Sequence, residues 1–426
     1  MKVVQLATED AYSAAAIQRQ IDDLDGVGGR VVLPAMDLVL DRGLELRSGV
    51  ELVGQGQDTV LRAAPGRVYP LAGYHNYGMY DVPLEHTEGL EPGMTVAVRD
   101  DTHGGFFETF ARITWIDGNW AGLDCPLHSD YAAHQHPVLV TAYPLIYGLG
   151  VEHVAVRDLY LDGARTEQPA GIGACRGAAV YFLRSHHCQV SDVVETSFAG
   201  EGLGFQMCSH VRILRCRFRD NAGNGFHPGA GSTGALFEEC FAEGNGRAGF
   251  YFCVRANHIT VRRCTFSGNV DCGISVGTRD CYNRIESCRI VGNEGPGILI
   301  RPTSRPVEVH SCHVTGCRIE RNAAESGRAQ VDVLGAAHDL AFTENEIAGP
   351  GPEQERAGVY VAPSAQRIWL RENRIQGCFP DVIADPASLA KEERTFACGV
   401  DAAEEVHYRH LFSSEAAPPS TFGESI

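Results

Sequence analysis

Between Ala248 and Val270 the apolar positions alternate. Phe250 and Phe252, then Ile259 and Val261, then Cys264 and Phe266 each bracket a single intervening residue. Period-two runs this short, broken by Gly, Asn and Arg, predict three brief strands and no amphipathic helix. The pattern recurs. Cys216, Cys240, Cys264, Cys288 and Cys312 stand at one constant interval. A glycine with a large apolar residue follows in Gly225-Phe226, Gly249-Phe250, Gly273-Ile274 and Gly297-Ile298, and Gly204-Phe205 begins that series one turn earlier. A fixed period of this size means one unit repeated and stacked. No copy has room for a crossover helix, so each coil must satisfy its backbone by pairing with the coils above and below. The predicted fold is an all-β parallel β-helix of about 24 residues per coil, rising ~4.8 Å per coil.

Two columns of the repeat are read as internal ladders. Five positions after each cysteine come Asn221, Asn245, Asn269 and Asn293, with Cys317 in the last copy. In later copies Asn345 and Asn373 take the slot that Cys264 fills in Val261-Arg262-Arg263-Cys264-Thr265-Phe266. Thiol and amide exchange where an inward bend accepts either a small apolar group or a self-bonding amide. Cys312 and Cys317 belong to different columns. All these residues are structural.

The rhythm also divides the chain. Ala14, Ile17, Ile21 and Leu24 have helical spacing, and short strands follow at Arg30 to Pro34, Leu44 to Arg47 and Val50 to Val53. Residues 1–70 therefore form a helical cap and the first coils; an open solenoid end needs such a cap. From 71 to 145 the period vanishes and the segments read as antiparallel strands, a small β insertion rich in His75, Tyr77, His86, His103, His128, Tyr131, His134 and His136. Insertions of this kind commonly wall a binding groove. Coils resume over 146–378. The 379–426 tail holds a predicted helix at Pro386 to Thr395 and ends in an Ala/Pro/Ser-rich stretch. The opening run, AAIQRQIDDLDGVGGRVVLPAMDLVLDRGLELRSGVELVGQG, resembles the start of the pectate-lyase-like superfamily. That resemblance implies a right-handed β-helix and carbohydrate-directed chemistry. It also leaves open a homo-oligomer, in this superfamily often a trimer.

The chain has 426 residues and 15 cysteines, an odd number set mostly in core-like positions, which favours buried free thiols over disulfides. No CxxC or Cys/His pair has ligand spacing, so no metal site is indicated. The net charge of −18 argues against nucleic acid. No apolar run is long enough to span a membrane. The first residues lack a signal-peptide pattern; the expectation is a cytoplasmic protein, or a secreted one whose signal has been removed.

Candidate chemistry follows from the glycine series. If Phe205, Phe226, Phe250, Ile274 and Ile298 point in, the next residue of each points out. The outward column then reads Gln206, His227, Tyr251, Ser275 and Leu299, with Tyr181 one coil before. Arg255 and Arg279 stack a few positions on, Arg301 shares the face, Asp280 adjoins Arg279, and Asp271 stacks with Arg247. In superfamily members that this chain resembles, sugars lie along such a face. Epimerisation or β-elimination of a uronate needs a base for the C5 proton, cations for the carboxylate and an acid. His227 is the candidate base and Tyr251 the acid. Arg255, Arg279 and Arg301 are the carboxylate binders, with Tyr181 and Gln206 as further contacts to an acidic poly- or oligosaccharide. Gly225-Phe226-His227-Pro228 is similar to the Gly-Phe-Asp-Pro-His motif of alginate epimerases, with His227 in place of Asp and Gly229 in place of His. Asp271 and Asp280 support the alternative, a glycoside hydrolase or intramolecular glycosyltransferase with paired carboxylates. A non-catalytic glycan-binding or structural β-helix is the third reading. No cofactor is certain; Ca²⁺, which pectate lyases hold with aspartates, would find only Asp271 near the groove.

Overall fold

The computed structural model describes residues 2–9, 11, 13–104, 107–169, 176–349, 356–391 and 398–400. The chain winds into a right-handed parallel β-helix. Each repeat contributes three strands, as in Phe250–Tyr251, Thr260–Arg262 and Thr265–Ser267. The first strand of every coil joins an eleven-stranded parallel sheet that runs from Leu44–Glu45 to Val382–Ile383. The other two strands build the remaining faces. Along the eleven-stranded sheet Leu203 pairs with Phe226, Phe226 with Phe250, Phe250 with Ile274, Ile274 with Ile298, and Ile298 with Val331. All of these side chains are buried, and one continuous apolar core fills the coil.

Polar ladders hold the bends of that core. The Asn245 amide donates to Asn269 Oδ1 (2.9 Å) and accepts from Asn221 Nδ2 (3.0 Å). Asn269, Asn293 and Asn322 continue the file. Gly249 faces it at close quarters: a Cβ there would lie 2.8 Å from both Asn269 Nδ2 and the Gly273 carbonyl. The thiol file is Cys216, Cys240, Cys264, Cys288 and Cys317, followed by Asn345 and Asn373. A left-handed residue (Arg215, Glu239, Arg263, Ser287; φ between 51° and 55°) precedes each of the first four thiols and makes the bend. A constant interval thus misplaces the fifth copy. Its coil is longer, so Cys317 sits above Cys288 and Asn322 above Asn293. Cys312 lies one bend earlier, where its predecessor is Asn283.

The cap helix spans Ala14–Asp22, with Ser13 Oγ accepting from the Ala16 amide (3.1 Å) and Ile17 and Ile21 buried. Gln18 pairs with the backbone of Glu45 through both its amide atoms (2.8 Å each), covering the unpaired edge of the eleven-stranded sheet. The insertion is a six-stranded antiparallel sheet with its own core. Three of its histidines pair within it: His75 meets Asp81, His103 meets Asp100 and His136 meets Asp101. The predicted tail helix is absent where it is described. Pro386–Ser388 is a single 3-10 turn and Leu389 is extended; residues 392–397 of that prediction lie outside the described residues.

Asn245→Ala would leave the Asn221 amide and the Phe218 carbonyl without these partners in the core. At ~1–3 kcal/mol per unsatisfied buried group, the variant should lose about 3 kcal/mol in urea denaturation, with an unchanged slope. Cys264→Ala, which removes only a small apolar group, should lose about 1 kcal/mol.

Candidate active site

The outer face of the eleven-stranded sheet carries one side chain per coil at each slot. At its start the insertion sits on it: Arg112 Nη2 donates to Glu45 Oε2 (2.8 Å), and Tyr147, Ala178 and Tyr181 form a buried cluster. Beyond the covered region the column runs His227, Tyr251, Ser275, Leu299, Asp332 and Tyr360. A groove of ≈ 590 Å³ opens over the column from Tyr251 onward, lined by Arg247, Tyr251, Asp271, Ser275, Arg301 and Asp332 among others, while His227 is buried outside that lining.

Arg301 is the central cation. It bends back along the groove, donating from Nη1 to Ser275 Oγ (2.6 Å) and from Nη2 to the Phe252 carbonyl (2.8 Å). Its Cζ lies 4.2 Å from the Tyr251 ring centroid. Asp280 anchors it from below at 3.3 Å. That carboxylate is fully buried and accepts from the Gly277 (2.8 Å) and Ala256 (3.0 Å) amides. Burial raises its pKa; Arg301 and the two amides offset part of the effect and leave it at about 7.

His227 stands over Tyr251, ring centroids 5.0 Å apart and nearly perpendicular. It is 5 % exposed, and neither ring nitrogen has a hydrogen-bond partner of good geometry. Glu201 Oε1 lies 3.4 Å from Nδ1 and the Cys253 thiol is a further neighbour. Burial alone would lower this imidazole's pKa; Glu201 and Cys253 outweigh it and lift the value to about 9. At neutral pH the ring therefore carries its proton, which corrects the role of free base expected for it. Burial pushes the Tyr251 phenol up against the lowering effect of Arg301, so Tyr251 is a neutral proton donor.

Other expected residues are placed differently. Gln206 is not in the His227 column: Gly204 pairs with His227, and Gln206 lies two positions on. The glycine equivalent to Gly225 is Gly202, which meets the Asn221 amide and the Gly225 carbonyl as Gly225 meets Asn245 and Gly249. Gly204-Phe205 mimics the motif two positions late, which keeps the inward parity and shifts the slot. Tyr181 donates to Gln206 Oε1 (3.0 Å), and both are buried, so neither lines the groove. Arg255 and Arg279 occupy left-handed turn positions after their strands (φ 62° and 56°) and lie outside the groove lining. Asp271 pairs with Arg247 at 3.4 Å, both more than half exposed. Asp271 at the rim and Asp280 beneath Arg301 do not form two open carboxylates across one bond.

Asp332 and Arg328 escape the repeat pattern because the coil between Ile298 and Val331 is longer than those before it. Asp332 is 3 % exposed, with Oδ1 lacking a partner and Oδ2 accepting from the Arg328 amide (3.1 Å). The alternation of Val331 and Val333 around it was the available signal. Among the described residues no group of three or more His, Cys, Asp or Glu is arranged to hold a metal. With Asp271 paired and Asp280 committed to amides and Arg301, the donor set does not fit a calcium cluster. No described helix is long and apolar enough to cross a membrane.

The groove and its stacked faces define a parallel β-helix with a polar, arginine-centred cleft. Residues 178–375 match the family described as the right handed beta helix region. A comparison with curated proteins gives no match. Among solved structures, the chain is similar to the A-module of the Azotobacter vinelandii mannuronan C-5 epimerase AlgE4 (17% identity, 90% of this chain and 97% of that one, TM-score 0.59). The AlgE6 A-module of the same organism gives 16% identity, the same coverage and a TM-score of 0.59. ORF18 of Geobacillus virus E2 follows with 12% identity, 92% and 63% coverage and a TM-score of 0.52. At these identities the likeness is one of fold.

Asp280 binds a proton more tightly folded (about 7) than unfolded (~3.9), so its contribution to stability falls as pH rises from about 4 to about 7. Asp280→Asn removes that slope. The variant's stability relative to the parent should rise from about pH 4.5 to about pH 7.5, measured by urea denaturation at each pH.

Proposed function

We propose that this protein is a carbohydrate-active enzyme that acts at C5 of a uronate unit in an acidic poly- or oligosaccharide, as an epimerase or lyase. The observation that carries this reading is Arg301, a cation fixed by Ser275, the Phe252 carbonyl and Asp280 directly over the neutral Tyr251 phenol. Removing a proton beside a carboxylate builds a second negative charge on that carboxylate. A preorganised guanidinium is the group that stabilises it, and bidentate geometry suits the planar carboxylate. Tyr251 then supplies a proton to carbon or to the departing C4 oxygen. The solved proteins named as mannuronan C-5 epimerases make a coil of this shape compatible with such a reaction. A groove of ≈ 590 Å³ open to solvent can admit part of a chain as well as a single sugar.

Acidic oligosaccharides should bind the parent and lose about 10–100-fold in affinity in Arg301→Ala, the worth of one charge-assisted hydrogen-bond set. Titration calorimetry against alginate, pectate and glycosaminoglycan fragments measures this. Turnover is followed by the ultraviolet absorbance of an unsaturated uronate for elimination, or by proton exchange at C5 for epimerisation. Release of reducing ends from neutral glycans, unaffected by Arg301→Ala, would replace this reading with hydrolysis. Activity should also fall as pH rises through about 9, where His227 loses its proton, and kcat/KM against pH reports that limb.

A further inference from the structure

The coil between Ile298 and Val331 is longer than the one before it, and the added residues bring a second arginine to the cleft. Its bend is tied to the preceding coil. The Ala323 amide donates to the Gly295 carbonyl (2.7 Å), and the Glu325 and Ser326 amides share the Glu294 carbonyl (2.9 and 3.1 Å). Gly327 then takes a left-handed turn (φ 93°) against Pro296, where a Cβ would lie 2.6 Å from Cγ, so no other residue fits there. Arg328 follows. It is exposed and lines the groove together with Leu299, Arg301 and Asp332. Its Cζ lies 4.6 Å from the ring centroid of Tyr360, one rung beyond Asp332, and its amide donates to Asp332 Oδ2 (3.1 Å). The stacking of Arg301 on Tyr251 is thus repeated by Arg328 on Tyr360 at the other end of the groove. From Ser275, which holds Arg301 Nη1, the column passes Leu299 and Asp332 to reach Tyr360. Three rungs at ~4.8 Å set the two anchors ~14 Å apart.

The cations of the groove differ in what they already hold. Arg301 has Asp280 beneath it, and Arg247 at the rim pairs with Asp271 (3.4 Å). Arg328, among the described residues, is in no ion pair. Asp332 is the acid that acts on it. Burial pushes that carboxyl's pKa up, with the Arg328 amide and charge offsetting part of the rise, so Asp332 cancels less of the charge than an open carboxylate would. Stacking on Tyr360 fixes the guanidinium while leaving its N–H donors for a ligand. The chain carries a net charge of −18 and repels a polyanion over most of its surface; an uncompensated cation in the groove is where one can be drawn in. Leu299, between the two arginines, offers an apolar floor to the C–H face of a sugar ring.

We propose that Arg328 binds the carboxylate of a second acidic sugar in the chain whose reacting unit lies at Arg301. The groove then recognises an oligouronate by two carboxylates three rungs apart, rather than one acidic sugar among neutral ones. This inference rests on the acidic-sugar reading above and names the substrate more narrowly. Asp332 and Tyr360 are positioning residues: the first holds the Arg328 backbone, the second its guanidinium. Arg328 lies three rungs from the reacting centre and acts on binding alone.

Single-length oligouronates from dimer to octamer, and the same chains reduced at the carboxyl to neutral sugars, are titrated calorimetrically into the parent and its variants. Parental affinity should climb in a step once an oligouronate is long enough to span both arginines, and the reduced chains should show no step. Arg328→Ala should remove the step: it should bind long chains about tenfold more weakly and the shortest ones like the parent, with an unchanged thermal midpoint. Arg301→Ala should weaken binding at every length. With long chains Arg328→Ala should raise KM about tenfold and leave kcat alone. Asp332→Ala should reproduce part of the loss, and Asp332→Asn, whose side-chain oxygen still accepts from the Arg328 amide, should restore it. Parental affinity of Arg328→Ala for long chains, or an equal loss at every length, overturns the proposal and leaves the uronate reading standing. An Arg328-dependent step with no reaction at C5 keeps the two-cation site and removes the C5 chemistry. Failure of every oligouronate to bind the parent overturns both.

Discussion

Backbone pairing between coils governs this molecule. A three-strand coil has no hydrogen-bond partners of its own, so every amide and carbonyl in its strands must find one in the coil above or below. Equivalent slots then lie over one another, and any side chain that suits one slot suits the next. This is why an asparagine file can run through the core. Each amide is satisfied by its neighbour and by a strand carbonyl, so burial costs little while the file lasts. The glycines opposite are the other half of the arrangement, since a Cβ would occupy the space that the amides need.

The same stacking turns distant residues into a site. Glu201, His227 and Tyr251 meet because they sit on consecutive coils, and Arg301 reaches Tyr251 by folding back along the groove. Burial then sets the charges. Asp280 lies beneath Arg301 and keeps the guanidinium in place, while Glu201 keeps a proton on an imidazole that burial would otherwise strip. The insertion meets the start of this face where Arg112 bonds Glu45, and the groove opens further along, from Tyr251 onward.

Much of this is readable in the chain, and the exceptions have physical causes. The thiol period and the alternation around Phe250 reveal the coil, since stacking imposes them directly. His227, Tyr251 and Arg301 follow from parity alone. Gln206 is misplaced because Gly202-Leu203 and Gly204-Phe205 both satisfy a glycine–apolar pattern, and only pairing with Phe226 separates them. Arg255 and Arg279 are drawn to the groove by periodicity, yet left-handed turns point them elsewhere. The charge of His227 depends on Glu201, a contact across coils.

Successive rungs of the eleven-stranded sheet, from Leu203 to Val359, are unevenly spaced along the chain, with the widest gap between Ile298 and Val331, and yet they remain in line. Extra residues are absorbed in the bends and leave the strands where they were. Each rung of the cleft can therefore be rewritten, or its adjoining bend lengthened, without re-aiming the others. Such a scaffold lets evolution retune recognition one position at a time while the reacting centre stays put.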